Sequence, residues 1–242
     1  MSTLRILVPA YFRPSGEGSR HWQRLIDAAQ HAPVVAIVNP HSGPGDQLDP
    51  DYARIIQEAV RSDVTCIGYV STRYGERPPA EVRGDIDRWN AIYPDVHGFF
   101  FDEQAEHHRH VNHYRALTRY ARRSVHDPLV VSNAGLMCSP HFFTRHATDV
   151  ICVSENSRPP EASPLPAWLR EVPRHRICVL AHSQARDHDV RRSVASAVAQ
   201  EIGFLYVTDD VLPNPWDRLP SFWDQLVREI RTANELVAGM VH

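Results

Sequence analysis

The stretch Gly98-Phe99-Phe100-Phe101-Asp102-Glu103 decides how this chain is read. It is an apolar run, too short for a helix, that ends in two acids. Such a run reads as a buried strand that delivers carboxylates at its C-terminal end. Asp149-Val150-Ile151-Cys152-Val153-Ser154-Glu155 repeats the pattern with one acid. Outward from these two, similar runs recur at intervals of roughly 20 to 30 residues, the length of a βα unit. They begin near Leu4, Val34, Val64, His97, Leu129, Asp149, Arg176 and Gly203. Helical patterns fill the gaps at 21–30, 51–60, 80–92, 111–124, 190–202 and 222–237. Asp49-Pro50 suits an N-cap followed by a first-turn proline, and Ser139-Pro140 suits the start of a short helix. The proline-rich segment 158–173 leaves room only for a short helix near Ala167 to Arg170. Strands alternating with helices in this way predict an α/β fold, a single (β/α)8 TIM-type barrel over residues 1–242. An open doubly wound sheet is the alternative. Its Gly-rich turn after the first strand is missing, because Gly16-Glu17-Gly18 lacks the rest of that fingerprint.

In such a barrel the strand C-termini build the site. Strand one ends at Tyr11 and strand two at Asn39, followed by Ser42. Strand three supplies Tyr69, Thr72 and Tyr74, and strand four Asp102 and Glu103. Strand five supplies Asn133, strand six Glu155, strand seven His182, and strand eight Asp209 and Asp210. Acids, amides, hydroxyls and tyrosines around one mouth make a sugar-binding inventory. Two acids converging there are what glycoside hydrolysis needs, one to donate a proton and one to attack or to activate water. The plainer reading is that each acid caps the following helix; two such strands in one regular repeat weigh against it. Strand alternation puts Asp102 inside with Phe100 and Gly98, while Phe99, Phe101 and Glu103 lean toward the helices. An inward Glu155 brings Val153 and Ile151 into the barrel core.

Composition narrows the classes. The chain has 242 residues, is 43% hydrophobic and carries a formal net charge of -3. A full core is within reach, and there is no electrostatic case for a nucleic acid or an anionic membrane as partner. The four cysteines, Cys66, Cys138, Cys152 and Cys178, have neither zinc-site nor disulfide-framework spacing. The first apolar run, from Leu4, is too short for an export signal, and no segment has the apolar length of a bilayer span. A cytoplasmic protein is expected.

Three blocks, Asn39-Pro40-His41-Ser42-Gly43-Pro44-Gly45, Gly68-Tyr69-Val70-Ser71-Thr72-Arg73-Tyr74-Gly75 and Gly98 to Glu103, resemble successive blocks of the spherulin-4-like family, spherulation-specific family 4. Tyr206-Val207-Thr208-Asp209-Asp210 and Pro213-Asn214-Pro215-Trp216-Asp217-Arg218-Leu219-Pro220 resemble its C-terminal block. The resemblance implies a (β/α)8 glycoside hydrolase similar to fungal endo-α-1,4-N-acetylgalactosaminidases. It implies Asp102 as nucleophile, Glu155 as general acid/base and Glu103 as a supporting carboxylate. Two positions depart from the family: Ala134 stands where Asn-Pro-Gly is usual after strand five, and Asn156 where Gly usually follows the strand-six glutamate.

Other signals have plainer readings. The histidines His107, His108, His110 and His113 suit a solvated helix start better than a zinc site, since no metalloprotease motif accompanies them. The Arg119, Arg122 and Arg123 group suits an outer helix face. Asp209 and Asp210 bind substrate or cap the last helix, and Trp216, Phe222 and Trp223 suit packing. The leading expectation is therefore a retaining hydrolase of an α-linked amino-sugar or galactose-type glycoside, with no metal or organic cofactor. An acid/base enzyme of small-molecule metabolism, such as a transglycosylase or isomerase, and a non-catalytic carbohydrate-binding barrel are the alternatives.

Overall fold

In the computed structural model, which describes residues 3–239, eight parallel strands close into a barrel in sequence order. They are β1 (Arg5–Ala10), β2 (Val34–Val38), β3 (Thr65–Ser71), β4 (Gly98–Asp102), β5 (Leu129–Asn133), β6 (Val150–Asn156), β7 (Ile177–Ala181) and β8 (Phe204–Val207). The outer ring contains α1 (Gly18–Ala28), α2 (Pro50–Arg61), α3 (Pro79–Ile92), α4 (Val111–Ser124), the single turn α5 (His141–Thr144), α6 (Val190–Ala199) and α7 (Trp223–Gly239). The connection from β6 to β7 has three 3₁₀ turns, at Pro160–Ala162, Ala167–Glu171 and Arg174–Arg176. Its prolines withhold the N–H groups that an α-helix would need.

Local chemistry sets the boundaries. Asp49 caps α2 as expected, accepting from the backbone N–H of Asp51 at 2.9 Å ahead of a first-turn proline. Asp189 caps α6 through the N–H of Arg192. Helix α3 lies flat on β3 because Gly68 has no side chain: a Cβ there would stand 2.5 Å from the Trp89 ring. The Trp89 indole then donates to the Tyr69 carbonyl at 2.9 Å.

The apolar interior has two layers. Phe99 and Phe101 stack on one face of β4, 6.5 Å apart, and are fully buried. Phe100 faces the other way and meets Tyr69 at 6.4 Å, so the alternation expected for β4 holds up to Asp102. Truncating a buried Phe of this kind to Ala costs about 3–5 kcal/mol.

On β6 the alternation is interrupted. Cys152 pairs with Cys178, but the next pair is Ser154 with Val179, so Val153 is an inserted bulge residue. A bulge re-aims the strand beyond it. The charge of Glu155, three residues on, acts on the Cys152 thiol and helps raise it after burial and Cys178. Val153 and Ile151 are buried as expected, but the bulge interrupts the regular alternation that placed them behind Glu155.

Candidate active site

The C-terminal ends of β3 to β6 bring the acids together. Asp102 ends β4 and accepts two hydrogen bonds. The Tyr69 hydroxyl donates to Oδ2 and the Asn133 amide to Oδ1, each at 2.8 Å. The same Asn133 nitrogen donates to Glu155 Oε2. Two acceptors on one nitrogen lie within two hydrogen-bond lengths of each other, roughly 5.5 Å. Among the described residues neither acid forms an ion pair.

Burial without a cation raises both carboxyls. The Asp102 carboxyl is pushed above its ordinary value chiefly by burial, against the hydrogen bonds from Tyr69 and Asn133, which favour its charged form. Glu155 is raised by burial first and then by the charge on Asp102, while the hydrogen bond from Asn133 and the nearby Trp216 side chain pull the other way. The neighbouring phenols stay neutral. Burial and the two acids hold Tyr11 far above its ordinary value, and burial plus Asp102 does the same for Tyr69. The Tyr11 and Tyr69 rings meet edge to face at 5.9 Å. The pair is thus an ionisable couple enclosed by neutral hydroxyls, able to move one proton between solute and protein.

Glu103 stands apart from the pair, and not where alternation put it. Its backbone is left-handed, φ 54°, so the pleat ends at Asp102. Its side chain stays on the mouth side, where the Ser71 hydroxyl donates to Oε2 at 2.5 Å. It lines a cleft of about 1020 Å³ with Ser42, Asp46, Tyr69 and Arg73. The strained turn is held from behind. Thr72 Oγ1 donates to the carbonyls of Asp102 and Glu103, each at 2.8 Å, and meets the Tyr114 hydroxyl at 2.7 Å. The Tyr74 N–H also donates to the Glu103 carbonyl, at 2.7 Å.

The remaining expected contacts divide. Tyr11, Tyr69 and Asn133 belong to the acid cluster. Ser42 is exposed in the cleft. Asn39 spends its carbonyl on the N–H of Gly43, shaping the 39–45 loop, at 2.8 Å. Tyr74 is exposed on the rim. His182 is half-buried beside Ser183 Oγ and the Trp216 ring, 5.9 Å away, and burial lowers its pKa. Two expectations fail. Thr72 is fully buried with its hydroxyl committed to the β4 turn, so it supports the site from behind. Asp209 is also buried; it accepts from Arg218 and from the Ser221 N–H, both at 2.9 Å, and these hold its pKa below the ordinary range. It anchors the loop before α7. The histidines after β4 are exposed or half-buried, and among the described residues no group of three or more His, Cys, Asp or Glu could hold a metal ion.

Trp216 was read as packing and does more. Its carbonyl accepts from the Tyr11 N–H at 3.2 Å, and its side chain lies near enough to Glu155 to favour the charged carboxylate. Its place in the Pro213-Asn214-Pro215-Trp216 loop just after strand eight is the signal that could have found it. Ala134, where the family has proline, donates its N–H to the Cys152 carbonyl at 3.2 Å, a bond proline cannot make. The turn that follows keeps its glycine, Gly135, at φ 67°.

Fold and mouth together define a glycoside-hydrolase-like (β/α)8 barrel with two facing carboxylates. Residues 5–230 match the model of Spherulin4, spherulation-specific family 4, and the chain belongs to that family. Spherulin-4 of Physarum polycephalum is 24% identical over 218 residues; these cover 85% of this chain and 63% of the relative's length. Among solved structures, Aspergillus clavatus Sph3 in complex with GalNAc superposes with a TM-score of 0.80 at 23% identity, covering 95% of this chain and 98% of that one. The β-mannanase of Thermomonospora fusca in complex with mannohexaose superposes with a TM-score of 0.57 at 13% identity, covering 95% and 89%. These likenesses show the barrel. No helix among the described residues is long and apolar enough to cross a membrane.

Proposed function

We propose that this protein is a retaining glycoside hydrolase acting on an α-linked amino-sugar or galactose-type substrate. Asp102 attacks the anomeric carbon. Glu155 gives its proton to the departing glycosidic oxygen and then takes one from the water that hydrolyses the glycosyl-enzyme ester. The observation that carries this reading is the pair itself: two half-buried acids with raised pKa, no cation between them, and oxygens bonded to one nitrogen. Retaining enzymes hold their carboxyls about 5 to 5.5 Å apart, whereas inverting enzymes need roughly 6.5 to 9.5 Å to admit water. The proximity of Asp102 and Glu155 supports retention. The hydrogen-bond donors on Asp102 and the charge of Asp102 acting on Glu155 support the first as the ionised group and the second as the acid. Sph3 bound to GalNAc, on a barrel that superposes on this one, supports the amino-sugar class.

Aryl α-glycosides of GalNAc, galactosamine and galactose, and short α-1,4-linked oligomers of the same sugars, form the test panel. Proton NMR of the first-formed product should show the α-anomer. A β-anomer formed first would replace retention by inversion. Binding without turnover, unchanged in Asp102→Asn, would make the protein a carbohydrate-binding barrel.

A further inference from the structure

Asn133 is buried at the end of β5, 7% exposed, and all three of its side-chain polar functions are committed. Its Oδ1 accepts from the Gly135 N–H at 2.9 Å. One hydrogen of its Nδ2 serves Asp102 and the other Glu155. The alternative amide orientation would turn a carbonyl oxygen toward two carboxylates and leave Gly135 N–H facing an N–H, so the network admits one orientation. The backbone is fixed as well, since the Asn133 carbonyl accepts from Gln104 N at 2.7 Å. The group facing the pair is therefore an immobile donor with two equivalent arms.

We infer that Asn133 is a positioning residue shared by both halves of the reaction, its two N–H arms remaining on the negative charge as that charge passes from Asp102 to Glu155 and back. This rests on the two-carboxylate reading above. At rest Asp102 is ionised and Glu155 holds the proton. In the first half, Asp102 forms a bond to the anomeric carbon, the bond to the leaving oxygen breaks, and that oxygen takes the Glu155 proton; Asp102 is now a neutral ester and Glu155 carries the charge. In the second half, water bonds to the anomeric carbon and gives a proton to Glu155, and the ester bond breaks to return the charge to Asp102. The pair carries one negative charge at each resting stage. A donor aimed at Asp102 alone would favour the starting state and oppose the first step. A donor aimed at Glu155 alone would favour the intermediate and oppose the second. A fixed donor to both stabilises the charge in either place without reorienting, which is the condition for electrostatic preorganisation.

The surroundings keep this charge legible. Around the pair are Tyr11 from β1, Tyr69 from β3, Glu103 at the end of β4, Cys152 from β6 and Trp216 from the loop after β8, with Tyr114 of α4 behind the β4 turn. Burial holds the phenols and the thiol above their ordinary values, Tyr114 at about 12. Glu103 is the other carboxyl whose charge acts on Asp102.

Two measurements test the role. In the wild-type protein, without substrate, nitrogen-edited NMR follows the two Asn133 Nδ2 protons as the pair titrates. Both should shift through the titration. In Asn133→Ser the shorter side chain still offers an oxygen to Gly135 N–H but cannot span both acids. Carbon-13 NMR of labelled Asp and Glu side chains should show both macroscopic pKa values of the pair moving up, because each carboxylate has lost a donor to its charged form. With an aryl glycoside, the burst phase and the steady-state rate should each fall on the order of 100- to 1,000-fold, as for loss of one preorganised donor. If only one proton responds, or one carboxyl, or one phase, the shared role is overturned while the hydrolase stands. If the wild type turns over no glycoside, the hydrolase reading is overturned and the two-stage role with it. A variant with lowered Tm and unmoved pKa values would make Asn133 a structural residue only.

Discussion

The strand-end acids on opposite arcs of the barrel mouth behave in opposite ways. Asp102 on β4 and Glu155 on β6 are half-buried without a cation, and both carboxyls are raised. Asp209, just past β8, is the more deeply buried at 6% exposure, yet the Ser221 N–H and Arg218 hold its pKa down. All three are acids delivered by a parallel strand to the same rim. What separates a chemical acid from a structural one here is whether a cation reaches it. Burial alone raises a carboxyl and leaves it ready to carry a proton; burial beside an arginine fixes its charge and makes it an anchor.

Removing the acid at each place should give opposite signatures. Asp102→Asn keeps the size of the side chain and removes the nucleophile. If Asp102 has the proposed role, turnover should fall by about 10⁴ to 10⁶, the range for loss of one member of a catalytic unit, with the fold intact by circular dichroism. Full activity in this variant would end the mechanism. Glu155→Gln should cost on the order of 10² to 10⁴, and the loss should shrink on aryl glycosides whose leaving groups need no proton. A uniform loss across leaving groups would move Glu155 out of the acid role.

Asp209→Asn should act on stability. It breaks a bond between a buried carboxylate and a half-exposed arginine, so a loss of about 2 kcal/mol is expected, seen as a Tm lower by about 4–8 °C. The effect has a pH signature. The folded pKa of Asp209 is depressed, so its stabilisation is present above the unfolded value of about 3.9 and fades as pH falls through the folded value. The Tm difference between wild type and Asp209→Asn should therefore close in acid.

The acid pair should show the reverse sign with the smallest effect. Its folded pKa values are raised, so the folded state binds protons more tightly than the unfolded chain. Stability from the pair is complete below an unfolded value of about 4 and is lost as pH rises through the folded values. Glu155→Gln should accordingly raise Tm slightly near neutral pH and leave it unchanged near pH 3. Equal behaviour of the Asp209 and Glu155 variants across pH would erase the contrast between the two arcs.

Much of the barrel was legible because its signals are local. The apolar runs from Leu4 to Gly203 each hold one strand, and Asp49-Pro50 caps its helix as read. The position of Asp102 at the end of β4 followed from the length of the Phe99-Phe100-Phe101 run. Glu103 and the residues behind Glu155 were less legible, since alternation assumes an unbroken pleat. A left-handed φ at Glu103 and an inserted Val153 on β6 each break it. The composition of a strand does not show which side the next residue faces once a bulge has reset the count.

The sequence by itself determined the repeating βα pattern, the acids at the strand ends and the family blocks, because each depends on residues adjacent in the chain. Tertiary structure alone decided which acids meet. Asp102, Asn133 and Glu155 are joined through one amide across 31 and 22 positions of sequence, and Asp209 was claimed by an arginine nine residues further on. Thr72 and Asp209 carry the same donor and acceptor groups as a sugar contact would need, but closure of the barrel turned one inward and paired the other. The pKa of a carboxyl is set by the water, charges and donors within a few ångströms of it, and closure of the barrel brings those neighbours together.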